Sequence, residues 1–137
     1  MQVRYHNRTR LDAAIEAKLN VTLSSKQDIL RESDFVVVMV PYSPATHHLI
    51  KADDIALMKP TAILINTARG GVVDDIALIA ALKENRIAGA GIDVFEGEPA
   101  INAEFLKLDN VVLTPHIGSA TRATRMRMAE LAADNMK

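Results

Sequence analysis

The 137-residue chain contains no cysteine. This excludes disulfides, thiol nucleophiles and cysteine-based zinc sites, and it permits an intracellular location without requiring one. An excess of charge of one sign is missing too: 16 basic residues against 17 acidic ones leave a net charge of -1. No global field therefore favours nucleic acid or an anionic membrane surface, so any anion must be held by a local patch. No apolar run approaches the roughly 20 residues that cross a bilayer, and the opening MQVRYHNRTR lacks the apolar stretch of a signal peptide. Repeats and linkers are absent as well. These absences lead us to expect a soluble, cytoplasmic protein with neither a nucleic-acid nor a membrane partner.

What remains is a globular composition, 49% hydrophobic and 24% charged, long enough for one core. Short apolar runs alternate with helix-period segments, which is the pattern of βα units in a parallel sheet. The runs are QVRYH (2–6), VTL (21–23), FVVVMV (35–40), AILINT (62–67), AGAGIDVF (88–95) and NVVLTP (110–115). Helical segments are expected at RLDAAIEAKL, SKQDILRE, KADDIALM and DDIALIAALKEN, the last with Asp74 as N-cap and Leu78, Ile79 and Leu82 on its buried face. Near the C-terminus, Ala123, Met126, Ala129, Ala133 and Met136 form one helical stripe, for which core packing is the expected role.

A doubly wound sheet of this kind normally opens with a strand, a glycine-rich turn and a helix that hold a dinucleotide pyrophosphate. That unit is not found here. The one G-x-G, at Gly89, leads into a strand and has no third glycine in place, so it reads as a close-packing device. The expected fold class is therefore α/β: an incomplete Rossmann-like, doubly wound, mostly parallel sheet lacking the first βα unit. His47 and His48 read as solvent-facing residues without metal-ligand spacing to a second cluster, and no metal site is expected.

Three polar groups stand at the ends of apolar runs: Arg69 after AILINTA, Glu98 after GIDVF and His116 after NVVLTP. An arginine offers a planar fork of donors matched to a carboxylate, and a histidine can release a proton near neutral pH. A carboxylate beside that histidine raises its pKa and fixes its orientation. Together they suit the reduction of a 2-keto acid. Small residues around Arg69 are expected because the backbone there would pass close to cofactor and substrate.

In this order and spacing, INTARGGVVDDIALIAAL, AGAGIDVFEGEP and NVVLTPHIGSAT resemble the D-isomer-specific 2-hydroxyacid dehydrogenase family over nearly the whole chain, from the second strand of its nucleotide-binding domain onward. The resemblance implies that Arg69, Glu98 and His116 are the catalytic residues. Arg69 would hold the substrate carboxylate, His116 would give a proton to the forming alkoxide, and Glu98 would keep the imidazole charged until transfer. It also implies that Val40 and Pro41 lie beside a dinucleotide, and that Thr67, Ala68, Asp93, His116 and Gly118 neighbour it near the nicotinamide. For Asp93 the alternative is a strand-terminal cap.

At the end of the first run, where an acidic residue would bind ribose hydroxyls, the chain has Asn7, Arg8 and Thr9. With no carboxylate before Asp12, NADPH is expected over NADH, as in the glyoxylate and hydroxypyruvate reductase branch. The alternative is a turn at Asn7 and a helix cap at Thr9. Residues 1–137 would thus form part of an NAD(P)-binding domain, without the substrate domain or glycine-rich loop, and with little or no activity alone on a small 2-keto acid. The missing strand belongs in the middle of the sheet, so either a strand-swapped homodimer or a sheet whose flanking strands close up is expected. The rival readings are a non-catalytic dinucleotide-sensing or scaffolding module, like the family's corepressor relatives, and a structural piece without a ligand. The presence of all three catalytic residues argues against the first rival, and cofactor-dependent thermal stabilisation would separate the second.

Overall fold

The computed structural model describes residues 1–136, and Lys137 lies outside them. Each apolar run yields a strand, and all but β2 end before the run does: β1 Val3–Tyr5, β2 Val21–Leu23, β3 Phe35–Val38, β4 Ile63–Asn66, β5 Gly89–Ile92 and β6 Val111–Leu113. Residues 39–40, 67, 93–95 and 114–115 leave the ladders, and Met39, Val40, Thr67 and Phe95 among them border the cleft described below. The helices are α1 Ala13–Leu19, α2 Lys26–Glu32, α3 Ala52–Ile55, α4 Asp75–Lys83 and α5 Arg122–Asp134. A 3-10 turn at Ala103–Lys107, which the periodicity does not signal, precedes β6.

Every paired strand is parallel, as crossover helices require. In the larger sheet the order is β3-β4-β5-β6, with Ile63 opposite both Phe35 and Gly89. Its core is built from Val36, Val38, Leu64 and Ile92 of the strands, with Leu78, Ile79 and Leu82 of α4 buried against them as expected. Asp74 caps α4 by accepting from the backbone N–H groups of Ile76 and Ala77. The close-packing reading of Gly89 also holds: a Cβ there would stand 2.8 Å from the Asn110 carbonyl oxygen.

β1 and β2 form a second, separate sheet. Between β1 and β3 runs a slot of about 940 Å³, lined by residues 1–7 on one side and 33–40 on the other. The flanking strands therefore do not close up, contrary to one of the two expected arrangements. Helix α2 lines the slot and links its two sides: Glu32 pairs with Arg4 of β1 at 2.6 Å, Lys26 pairs with Asp54 of α3 at 2.7 Å, and Leu30 is buried in the main core.

The methionine stripe of α5 also departs from expectation. None of its residues is buried, and Met126 and Met136 are 55% and 86% exposed. Periodicity reports an amphipathic face, but it cannot say whether anything packs on that face. Among the described residues no helix is long and apolar enough to cross a membrane.

Candidate active site

Side chains at the C-terminal ends of parallel strands meet in the crevice where open α/β sheets bind ligands. Here the ends of β3 and β4 and the loops after β5 and β6 border a cleft of about 730 Å³. Its wall is Met39, Val40, Pro41, Tyr42 and Ala68, and its polar groups include Thr67, Arg69, Glu98 and His116. The three residues proposed to carry the chemistry thus converge from three separate segments.

Arg69 follows β4 in a turn shaped by Asn66. The buried Asn66 side chain accepts from the Ala68 N–H at 3.2 Å and donates to the Arg69 carbonyl. The exposed guanidinium donates through Nη1 to the Ala68 carbonyl at 2.7 Å and meets no acidic side chain among the described residues. Its fork is thus available for an external carboxylate. Beyond it, a Cβ on Gly70 would lie 1.8 Å from the Phe95 carbonyl oxygen, and Gly71 adopts φ +75°. At Gly70 the absence of a side chain is therefore demanded by the chain's own backbone. That close approach presses the Arg69 turn against the loop that carries Glu98.

Glu98 accepts from the Phe95 N–H at 2.6 Å through one oxygen and faces His116 Nδ1 at 2.8 Å through the other. Burial raises its pKa, but the hydrogen bond from His116, the Phe95 N–H and the imidazole's charge together hold it below the usual carboxylate range. An ionised carboxylate can only accept, so Nδ1 carries a proton toward Glu98 and Nε2 is the atom left for other chemistry.

His116 itself has φ +54°, uncommon for a residue with a side chain. Asp93 holds that shape. One of its oxygens accepts from the Thr114 hydroxyl and the Ile117 N–H, and the other accepts from the Gly118 N–H. Burial raises the Asp93 carboxyl, but these three hydrogen bonds and nearby His116 outweigh it and leave the pKa lowered. Asp93 and Gly118 thus form the clamp under the histidine loop and do not line the cleft.

The remaining candidates lie further away. Asn7 lines the slot, and its side chain accepts from the Arg8 N–H at 3.0 Å, as a turn residue does. Arg8 and Thr9 are exposed, and Asp12 rather than Thr9 caps α1. Val40 borders both cavities, so slot and cleft are continuous past it.

Sequence reasoning did not find Asp75 or His48. Asp75 is buried at the start of α4 and accepts from the Glu96 N–H at 3.0 Å, which ties down the Glu98 loop; burial, followed by Glu96 and Asp74, pushes its pKa up to about 6. His48 is only partly exposed, and its Nε2 lies 3.2 Å from a Glu96 oxygen. No local spacing announces a contact 48 residues apart.

Residues 1–118 match the family described as D-isomer specific 2-hydroxyacid dehydrogenase, NAD binding domain. A glyoxylate reductase of Pyrococcus horikoshii is 57% identical over 136 residues, covering 99% of this chain and 40% of that protein. A glyoxylate/hydroxypyruvate reductase B of Enterobacter agglomerans is 49% identical over 137 residues, covering 99% and 42%. Among solved structures, the holo form of Rhodotorula graminis D-mandelate dehydrogenase superimposes with a TM-score of 0.93 at 39% identity, covering 99% of this chain and 40% of that one. An NADPH-dependent glyoxylate/hydroxypyruvate reductase of Sinorhizobium meliloti, in complex with NADP and malonate, gives 0.90 at 37% identity, covering 98% and 41%. The chain thus spans about two fifths of the length of the curated relatives it matches.

Proposed function

Because the chain belongs to the D-isomer specific 2-hydroxyacid dehydrogenase family, we propose that its cleft is the reducing site for a small 2-keto acid of the glyoxylate or hydroxypyruvate type. The observation that carries this reading is an arginine fork without an acidic partner among the described residues, lining the same cleft as a hydrogen-bonded His–Glu pair. Non-catalytic binding of a dinucleotide would need no such trio.

The residues fit the nicotinamide half of a dinucleotide: Val40, Pro41 and Ala68 give an apolar wall, and the polar trio lines the same cleft. When bound, the reduced nicotinamide supplies the hydride. Arg69 holds the substrate carboxylate and so orients the carbonyl carbon. His116, protonated, delivers the Nε2 proton to the carbonyl oxygen as that oxygen becomes a hydroxyl, and Glu98 supports the imidazolium until then. Asp93 and Gly118 act by holding His116 in place. Asn7, Arg8 and Thr9 favour NADPH, since an arginine accommodates a 2′-phosphate where a carboxylate would repel it.

In this reading residues 1–137 are part of an NAD(P)-binding domain. They include no glycine-rich turn for the pyrophosphate, and the slot and cleft stand open to water, so little or no turnover is expected from the chain alone. We assign a homodimer to it, formed through the free edges of β1 and β3.

The test is a chimera in which these residues replace the matching segment of the Pyrococcus horikoshii relative. Reduction of glyoxylate or hydroxypyruvate with NADPH, reduced about 10²-fold or more by Arg69→Ala and by His116→Ala, is the expected result. A folded chimera without turnover overturns the reading. Turnover by the unmodified chain overturns its inactivity alone.

A further inference from the structure

Outside the cleft, two adjacent histidines and a glutamate converge on the far side of the Glu98 loop. The ligand-bearing atoms of His47, His48 and Glu96 all lie within 4.8 Å of one another. We propose that these three side chains bind a divalent transition-metal ion of the zinc or nickel kind. Two imidazoles and one carboxylate are the donor set that such borderline ions favour, and they leave a coordination position open.

The surroundings of His48 support this beyond proximity. Its Nε2 faces both Glu96 oxygens, at 3.2 and 3.3 Å, while its Nδ1 lies 3.8 Å from Asp74 Oδ2. At 3.8 Å Asp74 stands beyond hydrogen-bond reach of Nδ1 and contributes a second negative charge beside the ring. Its Oδ1 is occupied by the α4 cap, which leaves Oδ2 as the oxygen nearer His48.

The backbone is committed as well. His48 adopts φ +48°, and its N–H donates to the Gly71 carbonyl at 2.8 Å. Strained backbone held by its surroundings concentrates at functional sites.

Electrostatics point the same way. Glu96 and Asp74 have no lysine or arginine partner among the described residues; their only ion-pair contact is His48. His47 supplies the third donor. It is exposed, stacks on His48 with ring centroids 3.9 Å apart and has its Nδ1 3.3 Å from the Tyr42 hydroxyl, so ligation requires its ring to turn out of that stack. Bound there, the ion fastens residues 47–48 to residue 96, two positions before Glu98. The proposal concerns a site separate from the cleft and stands whether or not the reductase reading does.

The experiment is calorimetric titration of the purified, tag-free chain with Zn²⁺, repeated with Co²⁺ while recording its visible absorption. One ion per chain is expected, with the absorption bands of a cobalt–imidazole site. His47→Ala and Glu96→Gln should each weaken binding about tenfold or more, while His6→Ala and His116→Ala leave it unchanged. Melting curves without metal establish that each variant is folded. Because His47 is exposed, its substitution should not alter them. Absent binding, or binding unaffected by His47→Ala and Glu96→Gln, overturns the site. Loss of binding in His116→Ala instead assigns the ion to the Glu98 pair and overturns it equally.

Discussion

Gly70 carries no side chain because the chain leaves no room for one. A Cβ at that position would sit 1.8 Å from a carbonyl oxygen of the backbone that leads to Glu98, so neither segment can yield without displacing part of the site. Gly70→Ala should destabilise the fold by about 2 kcal/mol or more, as overpacking against rigid backbone does, and denaturant melts measure it. Asp93 yields a second prediction. Its folded pKa is depressed, so the stability it adds is present above its unfolded value of about 3.8 and is lost as pH falls through the lower folded value. Asp93→Asn should therefore lower Tm at neutral pH, with a deficit that narrows toward pH 3 and below. A deficit constant across pH would mean that shape, not charge, explains its role. At this scale the convergence of Arg69, Glu98 and His116 is legible in the sequence because each stands within three residues of the end of an apolar run. The reason for the glycines is not legible, because the Phe95 carbonyl reaches Gly70 only after β4 and β5 have paired.

Elements succeed or fail according to what they pack against. Helix α4 has its cap, its charged first turn and its apolar face in local sequence, and it forms where the pattern places it. Helix α5 has a stripe of the same kind but buries nothing, because burial requires a partner that periodicity does not specify. The 3-10 turn at Ala103–Lys107 is held by a polar link invisible to hydropathy: Glu104 pairs with Lys83 of α4 and with Lys107. Those two lysines hold Glu104 at about 2, against an ordinary value of 4.5. With the folded pKa lowered, the contribution is present above about pH 4.5 and vanishes as pH falls toward 2. The groups are solvent-exposed, so the effect is small and screened by salt. Glu104→Gln should lower Tm slightly at pH 7 in low salt, and should be indistinguishable from the parent at high salt or near pH 2. Paired scans at two ionic strengths decide it.

For the whole molecule the decisive feature is the slot between the two sheets. Strand order alone anticipates its position, since the first strand of the doubly wound order belongs between those that β1 and β3 match. What the sequence does not reveal is that α2 links the slot's two sides through Arg4–Glu32, Lys26–Asp54 and buried Leu30, contacts that exist only after both sheets are in place. The edges of β1 and β3 that face the slot are not paired with each other. Leaving them open exposes unpaired backbone on β1 and β3 beside Phe35 and Val37, which are 58% and 54% exposed. Such an edge templates pairing with another chain. The chain should therefore sediment as a concentration-dependent dimer or larger species at micromolar concentration. Val37→Lys, which places a charge on the exposed face of β3, should shift it to monomer while leaving the thermal transition of the four-stranded sheet in place. If the parent chain remains monomeric at high concentration, its edges are protected by something other than pairing and the dimer assignment fails. If Val37→Lys dimerises as the parent does, the association uses another surface, and the exposed face of α5, with Met126, Leu131 and Met136, becomes the next to substitute.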